Sequence, residues 1–200
     1  MAKEKKESKR HAYDFYKTPP SAIYPFLDKC SRLGLVRASE EFLWLEPCAG
    51  DGAIINACTN YWHTRPTQPT WMAIEIQKEL KAPLKQTAAQ AVLIQDYLRY
   101  IPDPGLEPDI IFSNPPFTYA REIIEHSKTI VKPDGDIVML LRLAFTESQE
   151  RWEFWESQIK KPDLYILHKR PAFTEDGKTD SCAYAFFHWW SGSTGKWDII

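Results

Sequence analysis

The sequence lacks the hallmarks of three common protein classes. None of its apolar runs approaches the roughly 20 residues that a membrane-spanning helix needs. Residues 1–13 carry charges but no apolar core, so we expect no secretory signal. The formal net charge is −2, whereas many dedicated nucleic-acid-binding proteins are strongly basic. We therefore expect a cytoplasmic protein without membrane contact, in which any contact with nucleic acid comes from local patches.

Cysteine is also scarce. The four cysteines form no Cys-x-x-Cys pair, which argues against a zinc site and against a disulfide framework. Cys48, Cys58 and His63 have irregular spacing, which is not typical of metal ligands. We expect a reduced chain without a metal ion, and the sequence does not predict its oligomeric state.

The length of 200 residues suits one domain with a substantial core. We expect residues 1–12 to form a flexible basic tail and residues 13–200 to form a single domain. Apolar runs predict about seven strands, and helical patterns separate most of them. The strands are predicted at 41–47, 70–76, 91–95, 109–113, 136–145, 163–168 and 182–190.

The predicted helices alternate with these strands. A glycine at position 34 ends the first helix, and Thr146 with Gln149 forms the pattern of a capping box at the start of the last one. Alternating strands and helices predict an α/β fold with a mostly parallel sheet covered on both faces. Only a loop joins the last two strands, so we expect them to pair antiparallel. The helices are predicted at 19–34, 53–62, 77–90 with an interruption at Pro83, 118–131 and 146–159.

Candidate ligand-binding residues follow the first three strands, because ligands of such sheets bind at the carboxyl ends of the strands. Gly50 and Gly52 permit a tight turn and a close approach of the backbone to a ligand, although a plain turn would also explain them. Glu75, at the end of the second strand, suits hydrogen bonds to ribose hydroxyls. Asp96 could accept from an adenine amino group, and Tyr97 could cover a ring.

The glycine loop does not suit a nicotinamide dinucleotide. That ligand needs a third glycine at the position of Ile55. The acids Glu46 and Asp51 also disfavour a diphosphate. They suit a ligand with a sulfonium and an ammonium group, such as S-adenosylmethionine.

Three segments resemble one family. EPCAGDG at 46–52 resembles the cofactor loop of class I methyltransferases, and FYKTPP at 15–20 resembles their Tyr-x-Thr-Pro element. NPPF at 114–117 resembles the motif of amino methyltransferases, especially DNA adenine-N6 methyltransferases of the phage or bacterial type without a large target-recognition domain. The resemblance implies a Rossmann-like class I sandwich that uses S-adenosylmethionine. Together, strand ends and resemblance assign cofactor binding to Tyr16, Thr18, Glu46, Cys48, Gly50, Gly52, Glu75, Ile76, Asp96, Tyr97 and Asn114.

The NPPF segment suggests why a buried strand would end on two prolines. Pro115 holds Asn114 in an extended conformation, and neither proline has an N–H, so the loop offers acceptors without competing donors. The side-chain oxygen of Asn114 and the carbonyl of Pro115 can both accept from one NH₂ group. Phe117 offers a face on which a base or an amide could stack. We predict Asn114, Pro115, Pro116 and Phe117 as catalytic residues; a rigid turn is the alternative.

The expected activity is methyl transfer to an exocyclic amino nitrogen, N6 of adenine in DNA, in a bacterium or a phage-infected cell. The loop at 168–181 carries the expected nucleic-acid contacts Lys169, Arg170, Phe173 and Lys178, although it could also be a plain polar hairpin. Methylation of RNA or of a protein glutamine amide is an alternative. A catalytically silent methyltransferase-like module that binds nucleic acid is another.

Overall fold

An eight-stranded sheet forms the centre of the fold, in the order β3-β2-β1-β4-β5-β7-β6-β8. The computed structural model describes residues 16–35, 38–64, 68–158, 160–174, 177–179 and 181–200, so the predicted tail at 1–12 lies outside the described residues. The strands are β1 (Leu43–Pro47), β2 (Thr70–Glu75), β3 (Ala89–Ile94), β4 (Ile110–Ser113), β5 (Asp136–Arg142), β6 (Asp163–Ile166), β7 (Tyr184–Trp189) and β8 (Trp197–Ile199).

The strand directions confirm the predicted α/β sandwich. Strands β1 to β5 pair parallel with one another. Strand β7 runs antiparallel to both β5 and β6, so the last two predicted strands pair as expected. The predicted number of about seven strands misses β8, which pairs parallel with β6 at the edge of the sheet.

The helices cover both faces of the sheet. Alternating residues of each strand point to opposite faces, so Trp44 and Phe112 belong to one apolar cluster while Leu45 and Ile111 belong to the other. Phe26, on the first helix, stacks on Phe186 in the first cluster with 4.5 Å between ring centroids. The helices are α1 (Pro20–Leu33), α2 (Ala53–Tyr61), α3 (Lys81–Leu84), α4 (Ala120–Ile130) and α5 (Trp152–Glu156).

Two predicted helices are much shorter than expected. The segment 77–90 contains only a 3₁₀ turn and α3. Pro83 has no N–H, so it fits the first turn of a helix but not its interior. The strand β3 then begins at Ala89. In the segment predicted at 146–159, the described residues up to 158 form only α5, which follows two 3₁₀ turns. The capping-box prediction is wrong, since the Thr146 hydroxyl donates backwards to the Leu143 carbonyl at 2.8 Å. Strand β5 correspondingly ends at Arg142 rather than at 145.

The order of the strands reverses between β1 and β4. The chain moves from β1 outward to β3, then returns to β4 on the other side of β1. Open parallel sheets bind ligands at the carboxyl ends of the two strands at such a reversal. In the parts of the chain that the structure describes, no helix is long and apolar enough to cross a bilayer, and no group of side chains is arranged to hold a metal ion.

Candidate active site

A cavity of about 290 Å³ lies at the carboxyl ends of the central strands. Nine of the eleven predicted cofactor residues line it, and the two glycines do not. Pro116 from the NPPF segment also lines it, as do several residues that were not predicted. These additional residues are Ala49, Ala53, Ile74, Gln77, Gln95, Leu98, Tyr119 and Ile123.

The two glycines shape the loop after β1 instead of lining the cavity. Gly50 has φ 57° and donates its N–H to Oε2 of Glu75 at 2.7 Å. Gly52 has φ 80°, and a Cβ at this position would lie 2.4 Å from the Cγ2 atom of Thr87. The positive φ of both residues favours glycine, and at Gly52 the approach of Thr87 also leaves no room for a Cβ.

Glu75 is held at the cavity by two backbone donors. Its Oε2 accepts from Gly50, and its Oε1 accepts from the N–H of Gln77 at 2.9 Å. The side chain is buried, with its residue only 4% exposed. Each carboxylate oxygen can accept more than one hydrogen bond, so a fixed Glu75 retains acceptor capacity for two hydroxyl groups of a ligand in the cavity.

Glu46 presents a buried carboxylate to the same cavity. Its residue is 3% exposed, and its Oε2 has no hydrogen-bond partner within the protein. Burial raises the pKa of Glu46 well above its usual value; the backbone N–H of Ile55 lowers it, and the charges of Asp51 and Glu75 raise it further. Such an oxygen is costly to bury without a partner, so the site fits a ligand that brings a cationic donor.

Cys48 is a neutral wall of the cavity. Burial raises the pKa of its thiol, and the carboxylates of Glu75, Glu46 and Asp96 raise it further. Because only a thiolate is strongly nucleophilic, this cysteine is unsuited to covalent catalysis.

Asp96 and Tyr97 follow the carboxyl end of β3 and line the part of the cavity next to it. The Oδ1 of Asp96 accepts from the N–H of Leu98 at 3.0 Å, and its Oδ2 lies 3.8 Å from Nε of Arg99 in an exposed ion pair. Tyr97 is buried and donates its hydroxyl to Ser127 at 2.7 Å, so its polar end is directed into the core and not towards a ligand.

Four large apolar or aromatic side chains line the cavity while exposing much of their surface, namely Tyr16, Ile76, Leu98 and Tyr119. Ile76 is 42% exposed and Tyr119 is 49% exposed. Exposed apolar groups of this kind suit the faces of a planar ring. Tyr119 is not among the predicted site residues. Its position within the turn that follows the two prolines is the signal that could have identified it.

Asn114 is anchored to the N-terminal segment. Its Nδ2 donates to Oγ1 of Thr18 at 3.0 Å. The neighbouring Lys17 forms an ion pair of 3.0 Å with Asp51 in the glycine loop. Ser113 donates its hydroxyl to the carbonyl of Pro47, which ties the end of β4 to the end of β1. The predicted Tyr-x-Thr-Pro element therefore connects both loops of the site.

A second cavity, of about 140 Å³, lies on another side of Asn114. Asn114 and Tyr16 line both cavities, which places this amide between two spaces. Pro115 is buried and lines a small recess with the same two residues. The full lining of the second cavity is Tyr16, Asn114, Phe117, Arg142, Phe173, Thr174, Lys178 and Tyr184.

Aromatic rings form the walls of the second cavity. The ring centroids of Phe173 and Tyr184 are 5.0 Å apart, and those of Phe117 and Tyr184 are 6.1 Å apart. The guanidinium carbon of Arg142 lies 4.9 Å from the centroid of Phe117, and its Nε donates to the hydroxyl of Tyr184 at 3.3 Å. A planar group with one amine could enter this space and reach Asn114.

The structure separates the four predicted nucleic-acid contacts into two pairs. Phe173 and Lys178 line the second cavity, whereas Lys169 and Arg170 are exposed and do not line it. Arg142 and Tyr184 line it without having been predicted. Arg142 ends the strand beside β4, so its place at the carboxyl edge is the signal that could have identified it.

Comparison with known proteins supports the fold alone. No protein-family model and no curated protein matches this sequence. A Listeria monocytogenes protein described as a class I S-adenosylmethionine-dependent methyltransferase matches 96% of this chain and 67% of its own, with a TM-score of 0.67 and 12% identity. A type I restriction-modification methyltransferase subunit from Streptococcus thermophilus matches 92% of this chain, with a TM-score of 0.67 and 13% identity.

A further solved structure, described as an O-methyltransferase from Agrobacterium tumefaciens, matches 82% of this chain with a TM-score of 0.56 and 16% identity. The chain therefore has the Rossmann-like fold of class I methyltransferases. It spans 46% of the length of the Streptococcus subunit, less than half of that protein.

Proposed function

We propose that this protein is an S-adenosylmethionine-dependent methyltransferase that acts on an exocyclic amino nitrogen, N6 of adenine in DNA. The observation that carries the proposal is the position of Asn114. This amide lines both a cofactor-sized cavity with two buried carboxylates and an aromatic cavity on its other side. A methyl donor in the first and an amine in the second would meet at Asn114.

The first cavity fits S-adenosylmethionine group by group. Glu75 offers two fixed acceptors for the ribose hydroxyls, and Glu46 offers an unpartnered oxygen for the ammonium group. Ile76 and Tyr119 offer apolar surface for the adenine ring, close to the carboxylate of Asp96. When bound, the cofactor would supply a methyl group on a sulfonium centre.

The NPPF segment would orient the amine for attack. The Nδ2 of Asn114 already donates to Thr18, which leaves Oδ1 to accept from the target amine. The carbonyl of Pro115 is the second acceptor. Positive charge grows on the amine nitrogen during an in-line displacement, and preorganised acceptors stabilise that charge. The two residues also hold the amine in one orientation, which is itself a large part of the rate.

Adenine in DNA is the substrate that the second cavity favours. A planar base can stack against the aromatic wall that Phe117, Phe173 and Tyr184 form. A duplex adenine reaches such a pocket only after it has been flipped out of the stack. The similarity of fold to a restriction-modification methyltransferase subunit is consistent with DNA.

A labelling experiment tests the proposal. The protein would be incubated with S-adenosylmethionine labelled in the methyl group and with separate pools of DNA, RNA and protein. We expect label in DNA and, after digestion to nucleosides, in N6-methyl-2′-deoxyadenosine. DNA in which purine replaces adenine, so that only the amino group is missing, is the matched substrate control.

Asn114→Ala is the matched protein control, and it should bind the cofactor but transfer little label. Label in RNA or in a glutamine side chain, with none in DNA, would show that DNA is not the substrate and would favour that alternative. No transfer to any pool by a protein that binds the cofactor would support the silent module instead.

A further inference from the structure

Two residues are shared by the two cavities, and they are held very differently. Tyr16 and Asn114 line the first cavity, the second cavity and the small recess at Pro115. Asn114 is anchored by its hydrogen bond to the hydroxyl of Thr18 at 3.0 Å. Tyr16 lies just before that anchor in the chain and is 45% exposed. The amide is therefore a fixed part of the site, whereas the ring of Tyr16 has room to move.

The contacts that restrain Tyr16 within the described residues are few. Its ring meets that of Phe173 edge to face, with 6.2 Å between the ring centroids. The next residue, Lys17, pairs with Asp51, but the lysine side chain is 67% exposed, and exposed ion pairs contribute little to stability. Exposed side chains change rotamer within nanoseconds. A ligand in either cavity can therefore select one orientation of the Tyr16 ring.

Phe173 carries this contact into the second cavity. It lines the second cavity but not the first. Its ring centroid lies 5.0 Å from that of Tyr184 on β7. Tyr16, Phe173 and Tyr184 thus form a row of rings that begins at the first cavity and ends in the wall against which a base would stack. A ligand that fixes Tyr16 also fixes one end of this row.

We propose that Tyr16 is a positioning residue that couples the two cavities, so that a cofactor in the first raises the affinity of the second for the target base. The cofactor covers one side of the Tyr16 ring and holds it in the orientation that contacts Phe173. The base then enters a cavity whose wall is already ordered, and its binding loses less entropy. The inference rests on the proposed function, because it takes a cofactor in the first cavity and a base in the second.

The size of the coupling follows from the entropy of one side chain. Ordering one mobile side chain on binding corresponds to roughly 2- to 10-fold in affinity. Coupling between two binding sites is reciprocal, so the base should raise the affinity for the cofactor by the same factor. Only the ring of Tyr16 takes part in this coupling, so phenylalanine should serve equally well at this position.

The test measures nucleic-acid binding with the first cavity empty and with it filled. The probe for the first cavity is S-adenosylhomocysteine, which lacks the transferred methyl group and cannot react. The probes for the second are single-stranded DNA and RNA oligonucleotides of the same adenine-containing sequence, whose bases need no flipping out of a duplex. In wild type, saturating S-adenosylhomocysteine should raise the affinity for DNA by roughly 2- to 10-fold.

Substitutions at Tyr16 decide the inference. Tyr16→Phe should keep the wild-type ratio of affinities with and without S-adenosylhomocysteine. Tyr16→Ala should bring this ratio close to one, even where each single affinity also falls. A wild-type ratio of one would overturn the inference. A Tyr16→Ala protein that keeps the full wild-type ratio would overturn it as well.

Two further variants show whether the coupling runs through Tyr16 and its neighbour. Tyr119→Ala is the matched control, because Tyr119 is also a half-exposed tyrosine of the first cavity but does not line the second. It should keep the wild-type ratio, and a loss there would mean that the coupling is not specific to Tyr16. Phe173→Ala should lose the ratio, and adding Tyr16→Ala to it should change the ratio no further.

Amide hydrogen exchange gives a readout that needs no nucleic acid. In wild type, S-adenosylhomocysteine alone should slow exchange in the peptide that carries Phe173, although this residue lies outside the first cavity. Tyr16→Ala should lose this protection while it still binds S-adenosylhomocysteine. Equal protection in both proteins, or none in wild type, would contradict the proposed contact. If neither oligonucleotide binds, this measurement alone decides.

These results remain separate from the test of the proposed function. If DNA is methylated but Tyr16→Ala keeps the full ratio, the reaction stands and the role of Tyr16 is wrong. If the ratio depends on Tyr16 but no methyl group reaches adenine, the coupling stands and the proposed reaction is wrong.

Discussion

The Nδ2 of Asn114 donates to Oγ1 of Thr18 at 3.0 Å, across 96 positions of sequence. The bond uses the donor end of the amide and so assigns the other end, the acceptor Oδ1, to the target amine. It also joins the N-terminal segment to the NPPF loop. Thr18 is only 3% exposed, so water does not readily replace this hydroxyl. Thr18 is therefore expected to position Asn114 rather than to touch the reacting atoms.

Thr18→Val should slow methyl transfer while preserving the shape of the side chain. Loss of one hydrogen bond of about 0.5–1.5 kcal/mol corresponds to a loss of roughly two- to tenfold in turnover. Single-turnover methylation of adenine-containing DNA measures it, and calorimetry with S-adenosylmethionine serves as the control for the cofactor cavity. Thr18→Ser should recover most of the rate. Equal rates for Val and Ser variants would contradict the positioning role.

Asn114→Ala should reduce turnover much more strongly. A preorganised polar contact that strengthens in the transition state is worth about 2.7–4 kcal/mol, or about 10² to 10³ in rate. The loss should appear in turnover more than in cofactor binding, because the amide acts mainly on the amine. Asn114→Asp retains an acceptor and should keep more activity than Ala. A folded Asn114→Ala protein with the wild-type rate would show that the NPPF loop is only structural.

Glu75→Ala should weaken cofactor binding in two ways. The carboxylate would no longer accept from the ribose, and the N–H groups of Gly50 and Gln77 would lose their partner. Hydrogen bonds to a charged group contribute about 1.5–3 kcal/mol, so we expect a loss of roughly 10- to 100-fold in affinity. Calorimetry measures it, with Glu79→Ala, on the neighbouring 3₁₀ turn, as the control. An unchanged affinity of Glu75→Ala for the cofactor would contradict the assignment of Glu75 to the ribose hydroxyls.

The sequence could predict the centre of the fold because its pattern there is strong. Short apolar runs that end in Glu75, Asp96 and Asn114 alternate with helical segments, and a parallel sheet brings such ends together. The segment 146–159 shows the opposite case. Its apolar residues have helical spacing, but Phe145 and Phe154 pack edge to face at 5.9 Å between centroids, and this tertiary contact accompanies turns instead of a long helix.

The sequence could not predict the walls of the second cavity, because they too depend on contacts between residues that are distant in sequence. Arg142 and Tyr184 lie 42 positions apart and meet only because β5 and β7 pair antiparallel. Local patterns do not reveal such a register. Strand β8 was missed because three residues carry too little periodicity, and its position depends on contacts made by a distant carboxylate.

That carboxylate belongs to Asp163, which is the basis of a prediction about stability. Its Oδ1 accepts from the N–H groups of Thr194 and Lys196, and its Oδ2 accepts from the indole of Trp190 at 3.0 Å. Asp163→Ala would leave partly buried donors without a partner, at about 1–3 kcal/mol for such a group. We expect a clear fall in the urea midpoint with no loss of affinity for the cofactor.

The exposed Asp134→Ala is the control for Asp163 and should unfold as wild type does. An unchanged urea midpoint in Asp163→Ala would show that the turn before β8 is held by other contacts.

Glu46→Gln should stabilise the ligand-free protein and weaken its binding of S-adenosylmethionine. Burial raises the pKa of Glu46 in the folded state, so above the usual carboxyl pKa the folded chain retains a proton that the unfolded chain releases. The free energy of unfolding then falls as the pH rises towards the raised pKa. A neutral glutamine does not show this fall, so the melting temperature of the variant minus that of wild type should increase with pH.

The same substitution should remove the anionic partner of the cofactor's ammonium group. Wild-type affinity should rise with pH as Glu46 ionises, whereas the affinity of Glu46→Gln should lack this rise. Thermal melts and calorimetry across about pH 5 to 8 measure both effects, with Glu122→Gln on the exposed side of α4 as the control. A variant that loses stability at high pH yet binds the cofactor as wild type does would mean that Glu46 is a structural acid and that the ammonium group binds elsewhere.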